Sequence, residues 1–133
     1  MTDRQNVILC VDDEEKILKT LQRSLRTEGY KVLTALNGPQ ALNLLREERV
    51  DLIISDQRMP DMTGAELLSI VRKKYPNVIS IVLSGYTDFD ALVKSVNEGE
   101  IFRFLYKPWD DKELKSIVSL ALKHRRFICT NQQ

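Results

Sequence analysis

Cysteine is nearly missing: the chain has two, Cys10 and Cys129, near opposite ends of 133 residues. Two distant cysteines without a second pair make neither a metal-binding set nor a disulfide framework, so both are expected as reduced thiols. Proline is sparse too. The four present fall at loop-like positions rather than in a proline-rich linker, and no repeat or low-complexity segment is visible. Net charge is almost absent at +1, with 29% charged residues, which provides no basic field for direct nucleic-acid binding. No apolar run is long enough for a membrane span or a signal-peptide core, and the first, Val7 to Val11, follows the polar stretch Met1 to Asn6. These absences lead us to expect one cytoplasmic domain, and 43% hydrophobic content suffices for a full core.

What is present is an alternation. Val7–Val11 reads as a buried strand, followed by acids suited to a helix start and a helix with Ile17, Leu18, Leu21 and Leu25 inward, ended by Gly29. Lys31–Ala35 is a second strand before a helix carrying Ala41, Leu42 and Leu45. The apolar run Asp51-Leu52-Ile53-Ile54 leads to Asp56, and a third helix with Leu67, Leu68 and Val71 runs to about Tyr75, where Pro76 stops it. Val78–Leu83 is strand four, Ser84-Gly85-Tyr86-Thr87 a loop, and a fourth helix with Phe89, Leu92, Val93 and Val96 closes at Gly99. Phe102–Tyr106 is strand five, and Asp110-x-x-Glu113 resembles a capping box opening a last helix with Leu114, Ile117, Val118, Ala121 and Leu122 inward. Five βα units predict a doubly wound α/β domain with a parallel sheet covered on both faces. Periodicity leaves the strand order open.

Four of the five predicted strand ends carry a group able to bind or move a phosphoryl: Asp12 and Asp13, Asp56, Ser84, and Lys107. Each has a local alternative, as helix-start acid, turn former or solvated charge. Local jobs, however, do not require every special group to gather at the carboxyl edge of the sheet, where open α/β sheets place their ligands. Three carboxylates near one lysine invite a hard divalent cation with oxygen ligands, Mg²⁺ being the natural occupant beside a phosphoryl group. Asp56 is then the candidate nucleophile, with Lys107 and the metal neutralising charge on the transferred group.

Val11-Asp12-Asp13-Glu14, Asp56-x-x-Met59-Pro60-x-x-x-Gly64, Leu83-Ser84-Gly85 and Lys107-Pro108, in this order, resemble the receiver domain of two-component response regulators across about residues 5–125. The resemblance implies a flavodoxin-like (βα)5 sheet of order 2-1-3-4-5 and phosphotransfer from a sensor histidine kinase or phosphotransfer protein to Asp56. It also implies Mg²⁺ held by Asp13, Asp56 and the backbone carbonyl of Arg58, with Asp12 acting through metal-bound water, and a cis Lys107–Pro108 peptide. Ser84 and Phe104 occupy the switch positions. Ser stands where Thr is common and keeps the hydroxyl; Phe stands where Tyr is frequent and lacks the phenol. Arg58 and Tyr86 would flank the phosphoryl group and tune its hydrolysis.

On the same resemblance, residues 1–126 form the receiver and 127–133 a tail or the start of a linker to an effector domain outside this chain. The expected role is a switch rather than a turnover enzyme, with slow self-dephosphorylation as its only catalysis. The face made by the fourth helix, the fifth strand and the last helix, bordered by Lys94, Arg103 and Lys112, is the expected surface for homodimerisation or effector contact. The segments Gln57-Arg58-Met59-Pro60 with Met62-Thr63-Gly64, and Ser84-Gly85-Tyr86-Thr87-Asp88 with Lys107-Pro108-Trp109, look like receivers joined to cyclic-di-nucleotide enzymes or transcription activators. Two other classes compete. An aspartyl-phosphate phosphatase of the haloacid-dehalogenase type has a second Asp two residues after the nucleophile, where this chain has Arg58. A flavodoxin-like cofactor binder needs a Gly-, Ser- or Thr-rich loop after the first strand, where Asp12-Asp13-Glu14-Glu15 would repel phosphate.

Overall fold

The apolar runs read from the sequence become five parallel strands. The computed structural model describes residues 5–85, 93–94, 98 and 101–131. Its elements are β1 (Val7–Val11), α1 (Glu15–Arg26), β2 (Lys31–Ala35), α2 (Gly38–Glu47), β3 (Leu52–Asp56), α3 (Gly64–Lys74), β4 (Ile79–Ser84), β5 (Arg103–Tyr106) and a long last helix, α4 (Asp111–Asn131). The sheet order is β2-β1-β3-β4-β5 with every pairing parallel, the flavodoxin-like order the family resemblance implied.

Burial follows position in the sheet. The inner strands β1, β3 and β4 are buried at every residue, while the edge strands β2 and β5 are only partly buried, as expected when helices cover both faces of inner strands. Successive side chains on a strand point to opposite faces, so Ile8, Cys10, Leu52 and Ile54 pack with Leu18, Leu21, Leu114 and Val118 of α1 and α4. Leu9, Val11 and Ile53 pack with Ala41, Leu45, Leu67 and Val71 of α2 and α3. Cys10 is a free, buried thiol pushed up to about 12, first by burial and then by the nearby Asp12 charge, so it is unreactive.

Three boundaries move: β5 starts at Arg103 rather than Phe102, and β4 shifts at both ends. Val78 donates its N–H to Tyr75 O and closes the turn after α3, so β4 starts at Ile79, whose N–H donates to Asp51 O. Ser84 is the last residue of β4 rather than the first of the loop. Of the predicted fourth helix, Val93 and Lys94 are helical, whereas Phe89, Leu92, Val96 and Gly99 lie outside the described residues.

At the amino ends of the strands sits a buried ionic cluster that the sequence did not reveal. Asp51, fully buried, accepts the Val7 N–H at 2.8 Å, is paired by Arg49 at 2.6 Å, and lies 3.3 Å from an Arg125 guanidinium nitrogen. Arg125, on α4, also donates through Nε to the Asn77 carbonyl at 2.7 Å. One carboxylate thus fastens β1 and the last helix at the foot of β3.

Candidate functional site

The carboxyl ends of the strands bring together the acids and the lysine picked out in the sequence. Asp12 follows β1, Asp56 ends β3 and Lys107 follows β5, its N–H donating to Ser84 O at 2.9 Å. The Lys107 Nζ lies 3.0 Å from Asp56 Oδ1 and 3.5 Å from Asp12 Oδ2. One carboxylate oxygen from each of Asp12, Asp13 and Asp56 lies within 4.8 Å of the others, the one such cluster among the described residues. Asp12 and Asp56 are buried and Asp13 is exposed, so the cluster opens to solvent on one side. The Lys107–Pro108 peptide is cis.

The donor set fits a hard divalent cation. All three ligand groups are carboxylates, and the Lys107 ammonium bridges Asp12 and Asp56. The other residues named above are placed as follows. Ser84 donates its hydroxyl to Gly85 O at 2.7 Å. Phe104 is half-buried, edge-on to Tyr106 with ring centroids 5.3 Å apart. Arg58, Lys94, Arg103 and Lys112 are exposed, and Tyr86 lies outside the described residues.

Electrostatics at the site run against ionisation. Burial pushes the Asp12 carboxyl up to about 6; the Asp56 charge adds to this, while the Glu14 N–H and Lys107 oppose it. Burial likewise raises Asp56, partly offset by the Lys107 hydrogen bond and charge. Burial alone would lower Lys107, but its bond to Asp56 and the attraction of both carboxylates outweigh that and raise it. Because folded Asp12 holds its proton more tightly than the unfolded chain, its contribution to stability is full below about pH 4 and is lost as pH rises through 6. A rise of that size corresponds to at most about 3 kcal/mol. In chelator, wild type should therefore lose roughly 2–3 kcal/mol relative to Asp12→Asn between about pH 4 and pH 7. Urea denaturation measures this, and parallel curves for the two proteins would reject it.

The loop after Asp56 is held by residues that sequence reasoning passed over. Thr63 and Glu66 form a capping box: Thr63 Oγ1 accepts the Glu66 N–H at 3.1 Å and Glu66 Oε1 accepts the Thr63 N–H at 2.9 Å. The signal, Thr-x-x-Glu before an apolar run, was there to read. Buried Gln57 accepts the Ala65 N–H through Oε1 at 2.8 Å. Gly64 is required by contact, since a Cβ there would stand 2.4 Å from the Asp56 carbonyl oxygen and 3.1 Å from Gln57 Cα. Backbone, unlike a side-chain tip, cannot step aside. Gly64→Ala should therefore destabilise the fold by about 2–3 kcal/mol, read in urea, and slow any chemistry at Asp56 by displacing its backbone. A variant as stable as wild type would show that the approach relaxes freely.

Comparison with known proteins places this geometry. A family model for the response regulator receiver domain matches residues 8–119. The hydrogenase transcriptional regulatory protein HoxA of Cupriavidus necator is 40% identical over 123 residues, 92% of this chain but 25% of that protein. The chain thus spans about a quarter of that relative's length. Among solved structures, the signal receiver domain of an HD domain-containing protein from Pseudomonas fluorescens Pf-5 superposes with a TM-score of 0.91 at 40% identity, covering 98% of this chain and 96% of that one. Response regulator protein TrrA from Thermotoga maritima, in complex with Mg²⁺-BeF, gives 0.79 at 32% identity, covering 88% and 99%. No described helix is long and apolar enough to cross a membrane. With the family model spanning most of its length, the chain belongs to the response regulator receiver domains, the phosphoacceptor signalling units of two-component systems.

Proposed function

We propose that this receiver is switched by a phosphoryl group taken on Asp56 from a sensor histidine kinase or a phosphotransfer protein. The observation that carries the reading is Asp56 Oδ1 held 3.0 Å from Lys107 Nζ inside a three-carboxylate cluster. A carboxylate oxygen of Asp56 attacks phosphorus, the P–N bond of the donor phosphohistidine breaks, and the imidazole leaves. The product is an acyl phosphate. Lys107 keeps Asp56 ionised against its burial and then faces the new phosphoryl oxygens. Asp13, Asp56 and the Arg58 backbone carbonyl would hold Mg²⁺, with Asp12 acting through a bound water. The metal would supply charge neutralisation on the transferred group.

Ser84 would then donate its hydroxyl to a phosphoryl oxygen in place of Gly85 O, and Phe104 would turn inward, reshaping the surface around β5 and α4 used for dimerisation or effector contact. Arg58 and Tyr86 would slow attack by water, leaving self-dephosphorylation as a slow side activity. We read residues 127–133 as a tail or the start of a linker to an effector domain and the protein as cytoplasmic, a reading supported by relatives that are transcriptional regulators. The test is intact-mass analysis with a small phosphodonor. One added HPO₃, dependent on Mg²⁺, is the expected result; no addition, or equal addition in chelator, would overturn the reading.

A further inference from the structure

The N–H groups at the start of α3 that an isolated helix leaves without partners are all satisfied here, by Gln57, Thr63 and Glu66. Gly64 donates to Gln57 O at 2.9 Å and Thr63 to Glu66 Oε1 at 2.9 Å. Ala65 donates to Gln57 Oε1 at 2.8 Å and Glu66 to Thr63 Oγ1 at 3.1 Å. Gln57 also donates its own N–H to Leu83 O of β4 at 3.1 Å. It is therefore the residue that joins the sheet edge to the helix, and the loop 58–63 hangs between it and Thr63. Within that loop Asp61 takes a left-handed conformation, φ 74°, and Met62 donates to Pro60 O at 2.8 Å. Arg58 is the first residue beyond the Gln57 post.

We propose that Gln57 is a positioning residue for the divalent cation: its buried side-chain amide, by capping α3, fixes the direction in which the neighbouring Arg58 carbonyl points. The inference rests on the reading that this carbonyl is a metal ligand. An amide acceptor at this place is not explained by packing, because a buried polar side chain needs its partner, and an apolar residue of the same length would fill the space. Mg²⁺ tolerates little departure from octahedral geometry, so a carbonyl free to swing binds it poorly.

Calorimetric titration of Mg²⁺, without phosphodonor, tests this on four proteins. Gln57→Met keeps length and removes the acceptor, and should weaken Mg²⁺ binding about tenfold, the scale on which residues behind a ligand act. Gln57→Glu offers the same acceptor and should bind at least as tightly as wild type. Thr63→Ala removes a cap from the same helix turn without touching the Gln57 post and should bind within about twofold of wild type. Unchanged affinity in Gln57→Met overturns the inference, as does an equal loss in Thr63→Ala, which would mean simple fraying of α3. If Gln57→Met does not fold, Gln57→Asn, one methylene too short to reach Ala65, should show the same loss. A wild type that takes up no Mg²⁺ would instead remove the metal reading, and this inference with it.

Discussion

Asp56→Asn should abolish phosphoryl incorporation and at the same time raise thermal stability. The amide has the size of the carboxylate but lacks the anionic oxygen that attacks phosphorus, and among the described residues no other carboxylate is placed to substitute equally. Asp12 is fully buried with one oxygen engaged by the Glu14 N–H, and Asp13 is exposed at the rim, not paired with Lys107. The stability gain follows from the charge count. Lys107 faces two buried carboxylates, and burial already pushes both toward the protonated form. Removing one leaves Lys107 paired with the other and relieves their mutual repulsion, a gain of about 1 kcal/mol or roughly 3–5 °C in a domain of this size. Intact mass after phosphodonor with Mg²⁺, and thermal melting in chelator, read the two effects. Labelling of the variant at the wild-type level would move the acceptor elsewhere, and a large drop in melting temperature would mean that Asp56 serves stability rather than chemistry.

Asp51→Ala should be the most damaging substitution to stability outside the apolar core. The carboxylate is wholly buried and holds the Val7 N–H, Arg49 and Arg125 together. Such a cluster need not stabilise more than a well-packed apolar substitute, but removing one partner leaves charges and a backbone donor without an acceptor. Arg49 is partly exposed and can turn to water, whereas the Arg125 side chain is only 17% exposed. The expected loss is about 3 kcal/mol, a large share of a typical domain's stability, and roughly 10–15 °C in melting temperature. Asp51→Asn, which keeps an acceptor for Val7, should lose less. Phosphorylation of the folded fraction should persist, because Asp51 and Asp56 stand at opposite ends of β3, about 17 Å apart. A melting temperature unchanged in Asp51→Ala would mean that the arginines re-solvate without penalty.

How far the molecule could be read in advance depends on whether partners are close in sequence. The strands were legible because inner parallel strands are buried on both faces and appear as unbroken apolar runs, as in Leu9 and Ile53. Strand order was not, since periodicity carries no pairing information; it came from the family resemblance. The acids and Lys107 were legible as a set because parallel topology collects strand ends at one edge. Asp51 was read only as the start of an apolar run, and Arg125 was not singled out. Their pairing needs β3 and α4 to be placed first, which no local pattern states. Gln57 was passed over for the same reason, its partner Ala65 lying across a loop whose course depends on the left-handed Asp61.

The anchoring of α4 bears on where this domain can be cut. The family model's match ends at residue 119, so a fragment trimmed to that limit keeps the whole acidic cluster and loses Arg125. It would leave the buried Asp51 carboxylate with one arginine fewer and the Asn77 carbonyl without its guanidinium donor. A graft of the domain onto a different output, or a minimal version for spectroscopy, therefore has its working boundary after Arg125. That boundary is set by a carboxylate at the far end of the sheet from the chemistry, and α4 continues six residues past it, about 9 Å of helix onto which another domain can be spliced in register.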